Sequence, residues 1–208
     1  MKLDINRLWQ RFLGRAMRPK SSVKLHVAPL PVYLPKTHTE AAASLRDPFQ
    51  FRQVSFLNRR DGLDYTGVCP VLVEFLKAFQ AELERYGVPM IVTEMIRSAE
   101  RQNALHAQGR SKARAGQSPH QYGLAFDLVS VTKFWNLTPK QWAVIGAIGK
   151  EVARKRKIPI EWGGDWDFYD PAHWQLAKWR DMKAILDREP GLDWGVVLKK
   201  VHPALLKR

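Results

Sequence analysis

His120 with Asp127, Asp165 with Asp167, and Asp170 with His173 concentrate the chain's metal-capable and titratable groups into three short segments. A catalytic zinc site takes three protein ligands from His, Asp or Glu and leaves a fourth position for water. His120, Asp127 and His173 supply such a set. The seven-residue step from His120 to Asp127 is odd, so on one regular strand the two side chains would face opposite sides. A bend must intervene, and Gly123 offers it. Asp170 precedes His173 by three residues across Pro171, within reach of water at such a metal, where a general base belongs. Taken singly, these residues have plainer readings, since a lone His packs or sits on a surface and an Asp before Pro forms turns. Spacing alone leaves those readings open.

The elements that would position this set follow from periodicity. Leu72, Val73, Phe75, Leu76, Phe79 and Leu83 recur at helical spacing over Val71 to Tyr86, with Gly87 as the stop. Val88 to Ile96 reads as a strand, and Ala99 to Gln108 as a helix capped by Ser98 and ended by Gly109. Leu124 to Val129 is a strand that carries Asp127. Thr138 and Pro139 open a helix running to the basic cluster Arg154 to Lys157, whose charges suit a helix C-terminus better than a localisation signal. Ile158 to Trp162 and His173 to Ala177 read as short strands around the turn-rich 163–171. The expected fold class is α+β, a small, mainly antiparallel sheet with flanking helices.

Composition sets the frame. The chain has 208 residues, of which 45% are hydrophobic, enough for one domain with appended segments. The eight Trp are expected mainly in the core or lining a groove. The single cysteine, Cys69, excludes an internal disulfide and a Cys-rich zinc module and reads as a small buried hydrophobe. The net charge of +14 is uneven, with a surplus of nine in residues 1–60 and near neutrality over 61–175. We therefore divide the chain into a basic extension with a Pro-rich connector (1–60), a central domain that carries the candidate ligand set (61–190) and a basic tail (191–208). Leu3 to Met17 has the pattern of a basic amphipathic helix, and the prolines of Val27 to Pro35 mark an extended connector. A basic periphery fits attraction to anionic envelope polymers or virion proteins, with nucleic acid a weaker expectation. No apolar run is long enough to span a bilayer, and Met1 to Arg7 lacks a signal-peptide core.

Together, Ser118-Pro-His120-Gln-Tyr-Gly123-Leu-Ala-Phe-Asp127, Trp162-Gly-Gly-Asp-Trp166 and Asp170-Pro-Ala-His173-Trp-Gln175 resemble the M15 family of zinc peptidases. The Trp-Gly-Gly-Asp-Trp element is closer to its phage endolysin and L-alanyl-D-glutamate endopeptidase branch than to its D-Ala-D-Ala carboxypeptidases. Arg97-Ser98, Gln102 and Gly109-Arg-Ser-Lys112 fit the family's upstream segment. The likeness covers about residues 66 to 177 and implies the Hedgehog/DD-peptidase-like fold. It implies Zn2+ held by His120, Asp127 and His173, with Asp170 as base and Arg97 steadying an oxyanion or substrate carboxylate. Ser118 and Gln102 match positions near the substrate groove. Two departures stand out: Asp167 replaces a frequent Lys, adding negative charge near the cleft, and Trp174 replaces the usual Phe.

The expected function is a peptidoglycan endopeptidase cutting the stem peptide at L-Ala-D-Glu, in phage-type lysis or entry. The chain would be made in the cytoplasm and reach the wall by holin or virion delivery. The alternatives are a D-Ala-D-Ala carboxypeptidase, or a virion structural or wall-binding module that keeps the fold.

Overall fold

The computed structural model describes residues 27–29 and 36–207. The expected helix at Leu3 to Met17 and most of the Val27 to Pro35 connector lie outside the described residues. In chain order the first helices are α1 (Thr39–Leu45), α2 (Val54–Asp61) and α3 (Pro70–Arg85). Strand β1 (Met90–Glu94), helix α4 (Ala99–Ala107) and strand β2 (Ala125–Ser130) follow. Helix α5 (Pro139–Arg156), strands β3 (Ile160–Trp162) and β4 (His173–Leu176), and helices α6 (Trp179–Arg188) and α7 (Trp194–Val201) complete the order.

The strands form one antiparallel sheet in the order β1-β2-β4-β3. Alternation along each strand divides its faces by chemistry. Phe126, Leu128, Trp174, Leu176 and Trp162 point to a packed side, while Asp127, His173, Gln175 and Glu161 point to the other. The register pairs Asp127 with His173, Glu161 with Gln175 and Trp162 with Trp174. Polar faces polar, and ring faces ring.

Helices α3 and α5 cover the apolar side. The α3 face of Leu72, Phe75, Leu76, Phe79 and Leu83 is fully buried, and Phe75 and Phe79 meet the Trp174 ring at 5.7 and 4.8 Å. Helix α5 begins in a capping box between Thr138 and Gln141 and ends at Lys157, where Arg154 and Lys155 pair with Glu151. Its Gly146 and Gly149 make room for two indoles: an added Cβ would lie 2.4 Å from the Trp162 ring and 2.2 Å from the Trp174 ring. Two of the eight tryptophans are placed by this contact. Cys69 is fully buried at the start of α3, and burial pushes its thiol up.

The packed body is wider than the expected 61–190. Ala42, Leu45 and Phe56 from α1 and α2, and Val197, Leu198 and Leu205 from the C-terminal segment, join the same core as the sheet. Leu45 and Phe56, from within residues 1–60, bury their side chains in that core. Among the described residues, no helix is long and apolar enough to cross a membrane.

Candidate metal centre and active-site cleft

The polar face of the sheet floors a cleft of about 670 Å³. Asp127 and His173 sit opposite one another on β2 and β4. His120 arrives from a 3-10 turn, Pro119–Tyr122, that closes on Gly123 in the left-handed region (φ 65°). The expected bend is therefore real. A side chain there would strike the Gly67 carbonyl at 2.1 Å, so Gly123 is required for both φ and space.

Three ligand atoms converge. His120 Nε2 lies 3.2 Å from His173 Nδ1 and 3.4 Å from Asp127 Oδ1, and His173 Nδ1 lies 3.2 Å from Asp127 Oδ1. An ion about 2.0–2.1 Å from each atom of a tetrahedral set places those atoms roughly 3.3–3.4 Å apart, so the triangle fits. The tautomers agree. His120 Nδ1 donates to the Met95 carbonyl at 3.1 Å, and His173 Nε2 donates to Gln175 Oε1 at 3.0 Å, so the facing nitrogens present lone pairs. Gln175 cannot turn over, because its Nε2 donates to Glu161 at 2.6 Å. Sequence reasoning missed Glu161 and Gln175 as supports.

Electrostatics point the same way. Burial would raise Asp127, but His120 and then His173, through charge and hydrogen bonds, hold its carboxyl far below the usual range. Burial would lower His173, yet the Asp127 carboxylate, with Gln175 and Asp170, turns it upward. This cage favours added positive charge.

Asp170 lies in the loop before β4, where its carbonyl accepts from His173 N at 3.1 Å and its amide donates to Gly163 O at 3.0 Å. Gly163 is needed there, since a Cβ would come 2.3 Å from the Asp170 carbonyl oxygen. The side chain lines the cleft, and burial, aided by the nearby Asp127 charge and opposed by His173, His120 and Arg97, leaves its carboxyl raised. The rest of the Trp-Gly-Gly-Asp-Trp element divides its work. Trp162 packs behind the sheet, Asp165 pairs with Lys150 at the surface at 2.9 Å, and Trp166 leans on His173 with ring centres 5.3 Å apart.

Arg97 is buried beside the cage. Its Nε and Nη2 donate to Glu94, Nη1 donates to Gln102 at 2.9 Å, and Nη2 reaches Asp127 Oδ2 at 3.4 Å. It thus steadies the carboxylate whose other oxygen faces the histidines. Ser118 lines the cleft. Gln102 does not: it is fully buried, and its Nε2 donates to Ser111 and the Ala113 carbonyl, making it a brace behind Arg97 in place of the expected groove residue. Asp167 is also outside the lining, because the strand-connecting loop turns its side chain to solvent. The rim is instead cationic: Arg110, Lys112 and Arg180 have no carboxylate partner among the described residues.

A water-accessible cleft, three converging lone-pair ligands and a buried carboxylate beside them define a metal-dependent hydrolase site. Residues 111–176 match a family model described as D-alanyl-D-alanine carboxypeptidase, within the M15 peptidases. The peptidoglycan L-alanyl-D-glutamate endopeptidase CwlK of Bacillus subtilis (strain 168) is 30% identical, over 51% of this chain and 72% of its own. The Serratia marcescens L-Ala D-Glu endopeptidase ChiX matches at 30% identity with a TM-score of 0.48, covering 60% of this chain and 90% of its own. The chain belongs to the M15 family of metallopeptidases, on its L-alanyl-D-glutamate endopeptidase branch.

Proposed function

We propose that this protein is a zinc-dependent endopeptidase that cuts peptidoglycan stem peptides at the L-Ala-D-Glu bond. The observation that carries this reading is the ligand triangle of His120, Asp127 and His173 beside the raised carboxyl of Asp170. CwlK, which acts on that bond, supplies the substrate by likeness. When bound, zinc supplies Lewis-acid polarisation of a carbonyl and acidifies water.

Asp170 takes the proton of the attacking water and returns it to the departing amine. Four donations from Arg97 go to Glu94, Gln102 and Asp127, leaving one Nη1 hydrogen for an oxyanion or a substrate carboxylate. Ser118 borders the bound peptide. The basic surplus of residues 1–60 suits attachment to an anionic envelope polymer or to a virion, in a phage-type lysis or entry role. Retention on purified envelopes that weakens as salt rises tests that attachment.

One observation favours a second reading, D-Ala-D-Ala carboxypeptidase: the unpaired rim cations Arg110 and Arg180 would suit a terminal carboxylate. Metal analysis, with digestion of purified peptidoglycan and mass mapping of the cut bond, separates the two. Release at L-Ala-D-Glu supports the endopeptidase, release of terminal D-Ala supports the carboxypeptidase, and absence of bound metal removes both. Metal without cleavage of any wall points to the binding-module alternative.

A further inference from the structure

The loop after β2 displays two aromatic rings. Phe134 and Trp135 stack with centroids 6.4 Å apart and planes 19° from parallel, and they are 45% and 54% exposed. Phe134 holds a left-handed backbone (φ 52°), unusual for a bulky residue. The bend is pinned by reciprocal backbone hydrogen bonds between Ser130 and Phe134, at 2.9 and 3.2 Å. A strained, tightly bonded turn that presents two large rings to water is a construction that packing does not explain. Trp135 also lines the cleft that holds the metal cage. Phe168, which lines the same cleft, is covered by Lys112 at 4.1 Å, whereas no cation covers the face of Trp135 among the described residues.

The bond assigned under Proposed function, on which this step rests, constrains what else enters the cleft. In peptidoglycan the L-Ala amine is joined through a lactyl group to an amino sugar. One residue spans at most about 3.6 Å, so the sugar begins roughly two such lengths, about 7 Å, from the scissile bond. An enzyme cutting there brings the saccharide against its own cleft wall.

We infer that Trp135, backed by Phe134, is the stacking platform for that amino sugar. The apolar C–H face of a pyranose lies on the indole while its hydroxyl and acetamido groups stay in water, an arrangement suited to a half-exposed, amphipathic ring. The platform makes the enzyme prefer stem peptides still attached to glycan.

The test uses the full-length, metal-loaded protein and two purified substrates: a disaccharide-tetrapeptide and the same tetrapeptide without sugar. Trp135→Ala is expected to lower kcat/KM on the sugar-bearing substrate on the order of tenfold more than on the free peptide, the scale of one lost stacking face. Trp135→Phe restores most of that preference. Calorimetric binding of peptide-free glycan oligosaccharides is expected for wild type and lost in Trp135→Ala. Equal losses on both substrates, or glycan binding unchanged in the variant, overturn the platform. If wild type cuts neither substrate, the endopeptidase reading fails, and glycan binding alone decides the role of Trp135.

Discussion

Asp127 and His173 stand directly opposite each other on β2 and β4, with their ligand atoms 3.2 Å apart. Antiparallel pairing thus builds two-thirds of the metal cage before any loop takes part, and His120 completes it from the Gly123 turn.

Metal removal is therefore expected to loosen the sheet as well as stop the reaction. At free zinc 1,000 times its Kd, binding adds about 4 kcal/mol of stability, a rise of roughly 8–16 °C in Tm for a domain of this size. Calorimetry with and without a chelator measures it. A melting curve indifferent to zinc would contradict the cage.

Glu161 acts on the metal through Gln175 and His173. Replacing it by Ala frees Gln175 to turn, and the expected result is a loss of about 10- to 100-fold in metal affinity. Chelator competition reads this directly. The melting temperature of the metal-free protein should hardly move, since Glu161 is only partly buried at the cleft.

Asp170→Asn is expected to keep metal content while lowering kcat by about 10²- to 10⁴-fold, the usual contribution of a positioned base. Burial raises the Asp170 carboxyl above the ordinary value of 3.8, and only the ionised form accepts a proton. Activity should rise with pH through that raised value. Stability carries the opposite sign: the folded state holds the proton more tightly, so Asp170 contributes stability at low pH and loses it between the unfolded and folded values. A kcat profile whose acidic limb is identical in Asp170→Asn would remove this residue as the base.

Trp174 has the sole buried side-chain nitrogen without a hydrogen-bond partner among the described residues. Its ring fits only because position 149 is Gly. Gly149→Ala is expected to cost about 1–3 kcal/mol through overpacking. Trp174→Phe removes the orphaned N–H, whose burial costs about 1–3 kcal/mol, at the expense of some packing. The double variant should lose less than the two single losses combined, and urea denaturation of all four proteins supplies the cycle. Strict additivity would show that the two sites do not share their contact.

The strong periodicities were legible. The α3 face, the Ser98 and Thr138 caps, the strand with Asp127 and the bend at Gly123 all stand where residue spacing places them. What the sequence hid depends on pairing between distant positions. Glu161 and Gln175 become partners only through the β3–β4 register, and the burial of Gln102 depends on where the 111–113 loop folds. Helices α1, α2 and α6 went unread because no side chain caps their starts, the signal that marks α4 and α5, and the short α7 went unread although Asp193 caps it. Asp167 illustrates a further limit: a residue adjacent to a cleft in sequence still faces whichever way its loop turns.

The alternation along β4 ties chemistry to correct assembly. A slip of one residue would drive His173 and Gln175 into the apolar layer and push Trp174 and Leu176 into water. A one-residue slip therefore dismantles the ligand triangle and the core together, so a misregistered sheet has no site to act with. The sheet is in this way its own safety catch.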